Sequence, residues 1–352
     1  MAFMWMAASA RCEPGVIKRG IAAATRTPSV ASTRGVAMNM MLARVARGAL
    51  DEGAALAPAR QSQPLAAAPA EPQVCFALPA PALRPLITTY YRVVAPAPLE
   101  DYLHPEWGNI RFSIRGQWTV TRPGCNDPMP ERASLFGPTD RTGMVRTPGD
   151  AASLGIGLTA LGWAQLIGEP ADRHANRVCD LGHVYGAAAD QLWQQFQTAD
   201  WSASVALLDG FFTGRAAAAP PPDPLIAAVE AALVDGEIGT AHDFAASLGL
   251  NERTLARLCQ RVFGFPPKRL LRRQRFLRTL ADIGDRLDQP LATLLDGSYF
   301  DQPHFNREFK AYMGMTPSAY FHSPRQIMRR AAVERMRTAG AMVQGLHHMK
   351  AD

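Results

Sequence analysis

Apolar and polar positions change their period along the 352 residues. Order begins near Val74, and from there the pattern alternates in short runs. Leu86–Val94 is rich in β-branched and aromatic residues. Asn109–Ile114 and Gly116–Thr121 alternate with period two, and Arg115-Gly116 reads as the turn between them. Further short strands are expected around Ser134–Phe136, Gly143–Thr147 and Ser153–Thr159, separated by Pro, Gly and Asp. The period then lengthens to that of a helix at Leu161–Ile167, Tyr185–Phe196, Trp201–Phe212 and Leu225–Val234. Strands this short and this frequent predict a small β-barrel or sandwich followed by helices.

The most informative helical pattern runs from Thr240 to Phe263. Phe244, Ala245 and Leu248 give one short apolar face, and Gly249 can turn the chain with positive φ. Asn251 can cap a second helix by accepting from its free first-turn amides. That helix places Leu255, Leu258, Cys259 and Val262 inward, leaving Arg253, Ala256, Arg257 and Gln260 outward. A short helix, a glycine corner and a capped helix with arginines outside form a helix-turn-helix, whose second helix fits a DNA major groove. The plainer alternative is a helical hairpin with a solvated basic face.

A second copy argues against that alternative. Leu291, Leu294 and Leu295 begin a helix, Gly297–Phe300 make a corner, and Asp301 can cap the next helix. Pro303 sits in its first turn, where a missing N–H costs nothing. Phe305, Phe309 and Tyr312 face inward, while Gln302, Asn306, Arg307 and Lys310 stay outside. Gly314 and Pro317 stop the helix. Between the units, Leu270, Phe276, Leu277, Leu280 and Ile283 form the apolar stripe of a connecting helix. A helix of about 20 residues spans about 30 Å, close to the roughly 34 Å of one DNA turn.

These residues together resemble the DNA-binding domain of the AraC/XylS family of transcription regulators. The resemblance rests on Leu248-Gly249-Leu250, Arg253–Arg257, Gly264 with Pro267-Lys268, Phe300–Phe305, Arg307–Lys310, and Gly314–Pro317 with Tyr320. It implies two helix-turn-helix units joined by one linker helix. By position it offers Arg253, Ala256 and Arg257 of the first unit, and Gln302, Pro303, Asn306 and Arg307 of the second, to base edges. Lys268, Arg269 and Lys310 are expected at phosphates. The chain departs from the family pattern at Ser298, where a glycine is usual, at Leu294, where a small residue is usual, and at Cys259, where phenylalanine is usual.

The expected fold class is α+β: a β-rich, barrel-like sensor or dimerisation domain over 73–215, a proline-rich linker over 216–224 that spaces the domains, the double helix-turn-helix domain over 225–322, and a basic tail over 323–352 that prolongs a helix or adds phosphate contacts. Residues 1–72 are rich in Ala, Arg, Pro and Met and read as disordered. Their opening is similar in composition to a transit peptide, and a start placed too far upstream, with Met38, Met40 and Met41 as internal starts, accounts for them equally well.

Charge sharpens the assignment. The net charge is +6, and Thr240–Arg330 alone carries fifteen basic against eight acidic residues. A basic excess confined to one domain is the footprint of phosphate binding. Five scattered cysteines show no zinc spacing and no disulfide framework, which suits a reduced cytoplasm. No stretch reaches the roughly 18 apolar residues of a membrane span. There is no G-x-S-x-G, P-loop or dinucleotide fingerprint, so neither catalysis nor a cofactor or metal is expected. His104 and Glu106 lie close together, but His104-Pro-Glu-Trp107 reads first as the start of a strand, and Tyr91, Trp107 and Trp118 as core or pocket lining.

The expectation is therefore a non-enzymatic, sequence-specific transcription regulator on promoter DNA, monomer or homodimer. A small-molecule effector and RNA polymerase are its further expected partners, with the effector's residues unassigned. The alternatives are an enzyme or ligand-processing protein with an accessory DNA-binding domain, and a non-specific architectural binder.

Overall fold

The computed structural model describes residues 71–125, 127–284, 299 and 301–347. The expected extension over 1–72, all but its last two residues, lies outside these, as do Leu291, Leu294, Leu295 and the Gly297-Ser298 corner. Residues 66–352 fall within one compact unit.

The described residues contain nine strands, β1 (Gln73–Ala77), β2 (Ile87–Ala95), β3 (Leu99–Leu103), β4 (Asn109–Arg115), β5 (Thr119–Thr121), β6 (Ala133–Phe136), β7 (Gly143–Thr147), β8 (Ala151–Leu158) and, after the first helical turns, β9 (Val178–Asp180). They form two open antiparallel sheets, β1-β2-β8-β4-β6-β9 and β3-β7-β5, rather than a closed barrel. The expected hairpin of residues 109–121 is corrected here: β4 pairs with β6 and β8, whereas β5 crosses to the other sheet and pairs with β7. The alternation of each strand is local, but its partner is chosen by which apolar face it must cover. β2 and β8 are buried along nearly their whole length. They pass so closely that a Cβ at Gly155 would lie 2.0 Å from Cζ of Tyr91, so only glycine lets that ring cross β8.

The helices follow: α1 (Ala160–Gly162), continued by a π-turn over Trp163–Ile167, α2 (Gly182–Tyr185), α3 (Ala187–Phe196), α4 (Trp201–Ala218), α5 (Leu225–Asp235), α6 (Ala241–Ser247), α7 (Glu252–Phe263), α8 (Pro267–Gly284), α9 (Gln302–Met313), α10 (Pro317–His322) and α11 (Gln326–Ala339). One core joins the six-stranded sheet to α1, α3 and α4 through Ile110, Phe112, Leu154, Trp163, Phe196 and Phe212.

The proline-rich stretch does not hold two separate bodies apart. Trp107 and Ala160 from the β-rich part are buried in the same core as Val229, Phe244, Leu255 and Phe263 of α5–α7. Residues 323–352, expected as a basic tail, contain α11, and this helix folds back onto β1 and β3. Ile327 of α11 joins the core of Tyr91, Val93, Trp118 and Val145. Burial of those apolar faces outweighs the spacing that a polyproline segment would impose. Among the described residues no helix is long and apolar enough to cross a membrane.

Candidate nucleic-acid interface

The first unit is built from local signals. Thr240 caps α6 by accepting from the amide of Asp243 at 3.1 Å. Gly249 takes φ +65° at the corner, where a side chain would be strained. Asn251 caps α7 by accepting from the amide of Thr254 at 2.9 Å. Leu255, Leu258, Cys259, Val262 and Phe263 are buried beneath α7. Cys259 occupies the site without metal or disulfide partner, and burial pushes its thiol up to about 12. The outward face presents Arg253, Arg257 and Gln260 exposed, with Ala256 half-buried between them.

In the second unit Asp301 caps α9 by accepting from the amide of His304 at 2.6 Å. Phe305, Phe309, Tyr312 and Met313 are buried, while Gln302, Pro303, Asn306, Arg307 and Lys310 are exposed. All seven residues expected at base edges thus lie on the outward faces of α7 and α9. α8 connects the units with eighteen residues, about 27 Å of helix at the usual rise.

The basic excess divides into two populations. Arg253, Arg257, Arg261, Lys268, Arg307 and Lys310 are exposed and enter no ion pair with the described residues. Several other arginines act as internal fasteners. Glu308 of α9 is buried and takes Arg275 at 2.9 Å, Arg272 at 3.5 Å and the Tyr299 hydroxyl at 3.2 Å, tying α8 to α9. Arg278 donates to the carbonyl of Leu233 at 3.2 Å, tying α8 to α5. Arg273 is fully buried against Trp107. Arg269, expected at a phosphate, is exposed, and its guanidinium is paired with the buried carboxylate of Asp140, whose other oxygen accepts from Asn176 at 2.8 Å. Sequence reasoning counted these groups as surface charge, because nothing local marks an arginine on an amphipathic helix as facing a neighbouring carboxylate.

Two rows of chemistry-bearing residues come together in the fold, though His104 and Glu106 were already neighbours in the sequence. His174 lies 2.6 Å from Glu169 and 3.7 Å from the Cys179 sulfur. Burial and then Glu169 push the thiol up to about 11, so it stays protonated and the row lacks a nucleophile. His104 packs its Nε2 2.5 Å from the Tyr320 hydroxyl, and Glu106 lies 2.5 Å from Arg111. Among the described residues no group of three or more His, Cys, Asp or Glu could hold a metal ion. Tyr91 and Trp118 line a cavity, whereas Trp107 belongs to the core of the first unit.

Residues 244–323 match the family model described as a helix-turn-helix domain. This segment is a double helix-turn-helix domain, with α7 and α9 as the second helices of its two units. It is of the AraC type. No curated protein matches the chain. Solved structures similar to it include ToxT from Vibrio cholerae, at 12% identity over 71% of this chain and 98% of that one, with a TM-score of 0.39. ToxT bound to (E)-4-(8-methylnaphthalen-1-yl)but-3-enoic acid gives 14% identity over 71% and 98%, with a TM-score of 0.38. The AraC-like transcriptional activator CuxR gives 17% identity over 58% and 82%, with a TM-score of 0.24.

Proposed function

We propose that the chain is a sequence-specific DNA-binding transcription regulator that reads DNA with α7 and α9. The observation that carries this reading is the outward face of α7, where Arg253, Ala256 and Arg257 stand on a helix capped by Asn251 and locked from below by the core. Arg253 and Arg257 pair with guanine O6 and N7, where a planar guanidinium bonds bidentately. Ala256 meets a thymine methyl. Gln302, Pro303, Asn306 and Arg307 serve the second half of the site. Lys268 and Lys310 hold phosphates and fix register, joined by Arg269 when Asp140 releases it. Two reading heads in one chain let a monomer span a site, so dimerisation is optional.

The test is selection from a randomised duplex pool at near-physiological salt. The whole chain is used, because Trp107 and Ala160 belong to the core of the first unit. Two enriched blocks about one helical turn apart are expected. A pool that stays random would overturn the reading in favour of an architectural or accessory role.

A further inference from the structure

Beneath α11, inside the β-rich part, lies a cavity of about 80 Å³ for which DNA binding has no use. Most of its wall is apolar: Phe76, Val93, Trp118, Val145 and Ile327. Four ionisable groups converge on it, His104, Glu106, Arg111 and Arg335. An apolar cavity with a few converging polar groups is the usual form of a small-molecule site.

The charges do not balance. Glu106 and Arg111 neutralise each other at 2.5 Å, and Arg111 also donates to the Tyr91 hydroxyl at 2.8 Å. Arg335, on α11, forms no ion pair with the described residues, and the nearby Glu106 is already taken by Arg111. One of its Nη atoms donates to the carbonyl of Met342 at 3.2 Å, and the guanidinium lies 4.8 Å over the Phe76 ring. Its Nε is buried without a partner among the described residues. Burial pushes Arg335 below its ordinary range, yet a guanidinium keeps its proton in a protein.

His104 adds a donor and no charge. Burial first, then Arg335 and Arg325, hold its pKa down to about 3, so the ring is neutral. Nε2 of His104 lies 2.5 Å from the Tyr320 hydroxyl, and the tautomer that keeps this contact with the hydroxyl donating accepts the proton at Nε2. The ring proton then sits on Nδ1, which is buried and has no partner among the described residues. The cavity therefore carries one uncompensated positive charge, and a buried unpaired charge is costly. A carboxylate answers it, because its two oxygens accept bidentately from a guanidinium.

We propose that this cavity binds a small monocarboxylate with an apolar body, and that Arg335 of the C-terminal helix takes its charge. A dianion would leave a surplus negative charge in the same apolar surroundings. α11 is fixed over the site at both ends. The buried Asp101 accepts from the amides of Ile327 at 2.7 Å and Met328 at 2.9 Å. Beyond the helix, Gln344 donates to the carbonyls of Gly108 and Leu158. Only three residues separate α11 from α10 of the second helix-turn-helix unit. A ligand that orders α11 thus bears directly on the second reading head. In calling this ligand an effector, the proposal rests on the regulator reading.

The test uses the full chain without DNA, titrated calorimetrically with hexanoate, hexanamide and inorganic phosphate. Hexanoate should bind, hexanamide at least about tenfold more weakly, as the loss of a charged hydrogen bond requires, and phosphate should not compete. Arg335→Gln should abolish the preference for the acid over the amide, with an unliganded melting temperature no lower than that of the parent. Arg335→Lys, which keeps the charge, should retain the preference. Equal binding of acid and amide by the parent chain, survival of the preference in Arg335→Gln, or effective competition by phosphate would each overturn the proposal. Because no DNA is present, failure here leaves the regulator reading untouched, and a failed DNA selection leaves this result untouched.

Discussion

The guanidinium of Arg273 stacks on the ring of Trp107, 3.7 Å from its centre. One residue belongs to α8, which links the two helix-turn-helix units, and the other follows β3 in the β-rich part. Arg273 also donates to the carbonyls of Thr139 at 3.0 Å and Glu106 at 3.4 Å. Trp107 in turn meets Phe263, the last residue of α7, edge to face at 5.5 Å. The linker helix, the first reading helix and the β-rich part therefore converge on one stacked pair. The Glu106 whose carbonyl Arg273 holds is also the carboxylate of the cavity.

Arg273→Ala should lower the unfolding free energy by about 3 kcal/mol, since it removes the buried hydrogen bond to the Thr139 carbonyl and a desolvated cation–π contact, while the Glu106 carbonyl keeps the Thr139 amide. Arg273→Lys should recover only part of this, because an ammonium neither stacks nor reaches both acceptors in its plane. Urea titrations of the three chains check this. A cost below about 1 kcal/mol, typical of a solvated arginine, would show that the stack does not fasten the parts together.

Glu230 sets a pH dependence. It is buried on α5, and both oxygens accept from the amide of Ala160 at 3.1 and 3.2 Å. Burial, partly offset by those amides and by Arg273, pushes its pKa up from 4.5 to about 7. Between these values the folded chain holds a proton that the unfolded chain has released. Stability contributed at this group is therefore full below pH 4.5 and declines as pH rises to 7, by about 3 kcal/mol in all. Glu230→Gln should lack this decline, so its stability relative to the parent should grow with pH across that window. A difference that stays flat from pH 4.5 to 7 would contradict the assignment.

The helix-turn-helix units could be read from sequence because their signals are local. Thr240, Gly249, Asn251 and Asp301 do in the fold what their chemistry allows within three or four residues. The alternation of β2, β4 and β8 was equally plain. Which strand lies beside which was not, because β4 and β5 are consecutive in sequence yet join different sheets. Arg269, Arg273 and Arg275 read as surface charge because their partners, Asp140, Trp107 and Glu308, are distant in sequence. α11 was read as a tail for the same reason: Ile327 and Ala331 gain their value only against the sheet. Of the cavity, the aromatic lining at Tyr91 and Trp118 and the neighbouring pair His104 and Glu106 stood out in the sequence, whereas Arg111 and Arg335 did not.

Asp140 engages the guanidinium of Arg269, which is proposed to reach a phosphate when released. Asp140→Asn keeps the hydrogen bonds with Asn176 and removes the charge that engages Arg269. The variant should bind random duplex more tightly, with the slope of log affinity against log salt steeper by about one unit, as one more phosphate contact requires. Titrations at several salt concentrations check this. An unchanged slope would mean that Arg269 has no phosphate within reach even when free.

Arg257 and Lys310 should fail in different ways, and the difference separates reading from holding. Both are exposed and unpaired among the described residues, so neither substitution disturbs the core. Arg257 stands one helical turn beyond Arg253 on the outward face of α7, where a guanidinium meets a base edge. Arg257→Ala should cost about 1–3 kcal/mol on the selected site, relax preference at one base pair, and leave affinity for random duplex much less affected. Lys310 lies in the last turn of α9, away from the N-terminal end that enters the groove. Lys310→Ala should weaken all sequences alike and flatten the salt slope by about one unit. Competition titrations of both variants with specific and random duplex at two salt concentrations separate these patterns. Equal losses on specific and random DNA for Arg257→Ala would remove it from the base-reading set, and a base-selective loss for Lys310→Ala would move that lysine into it.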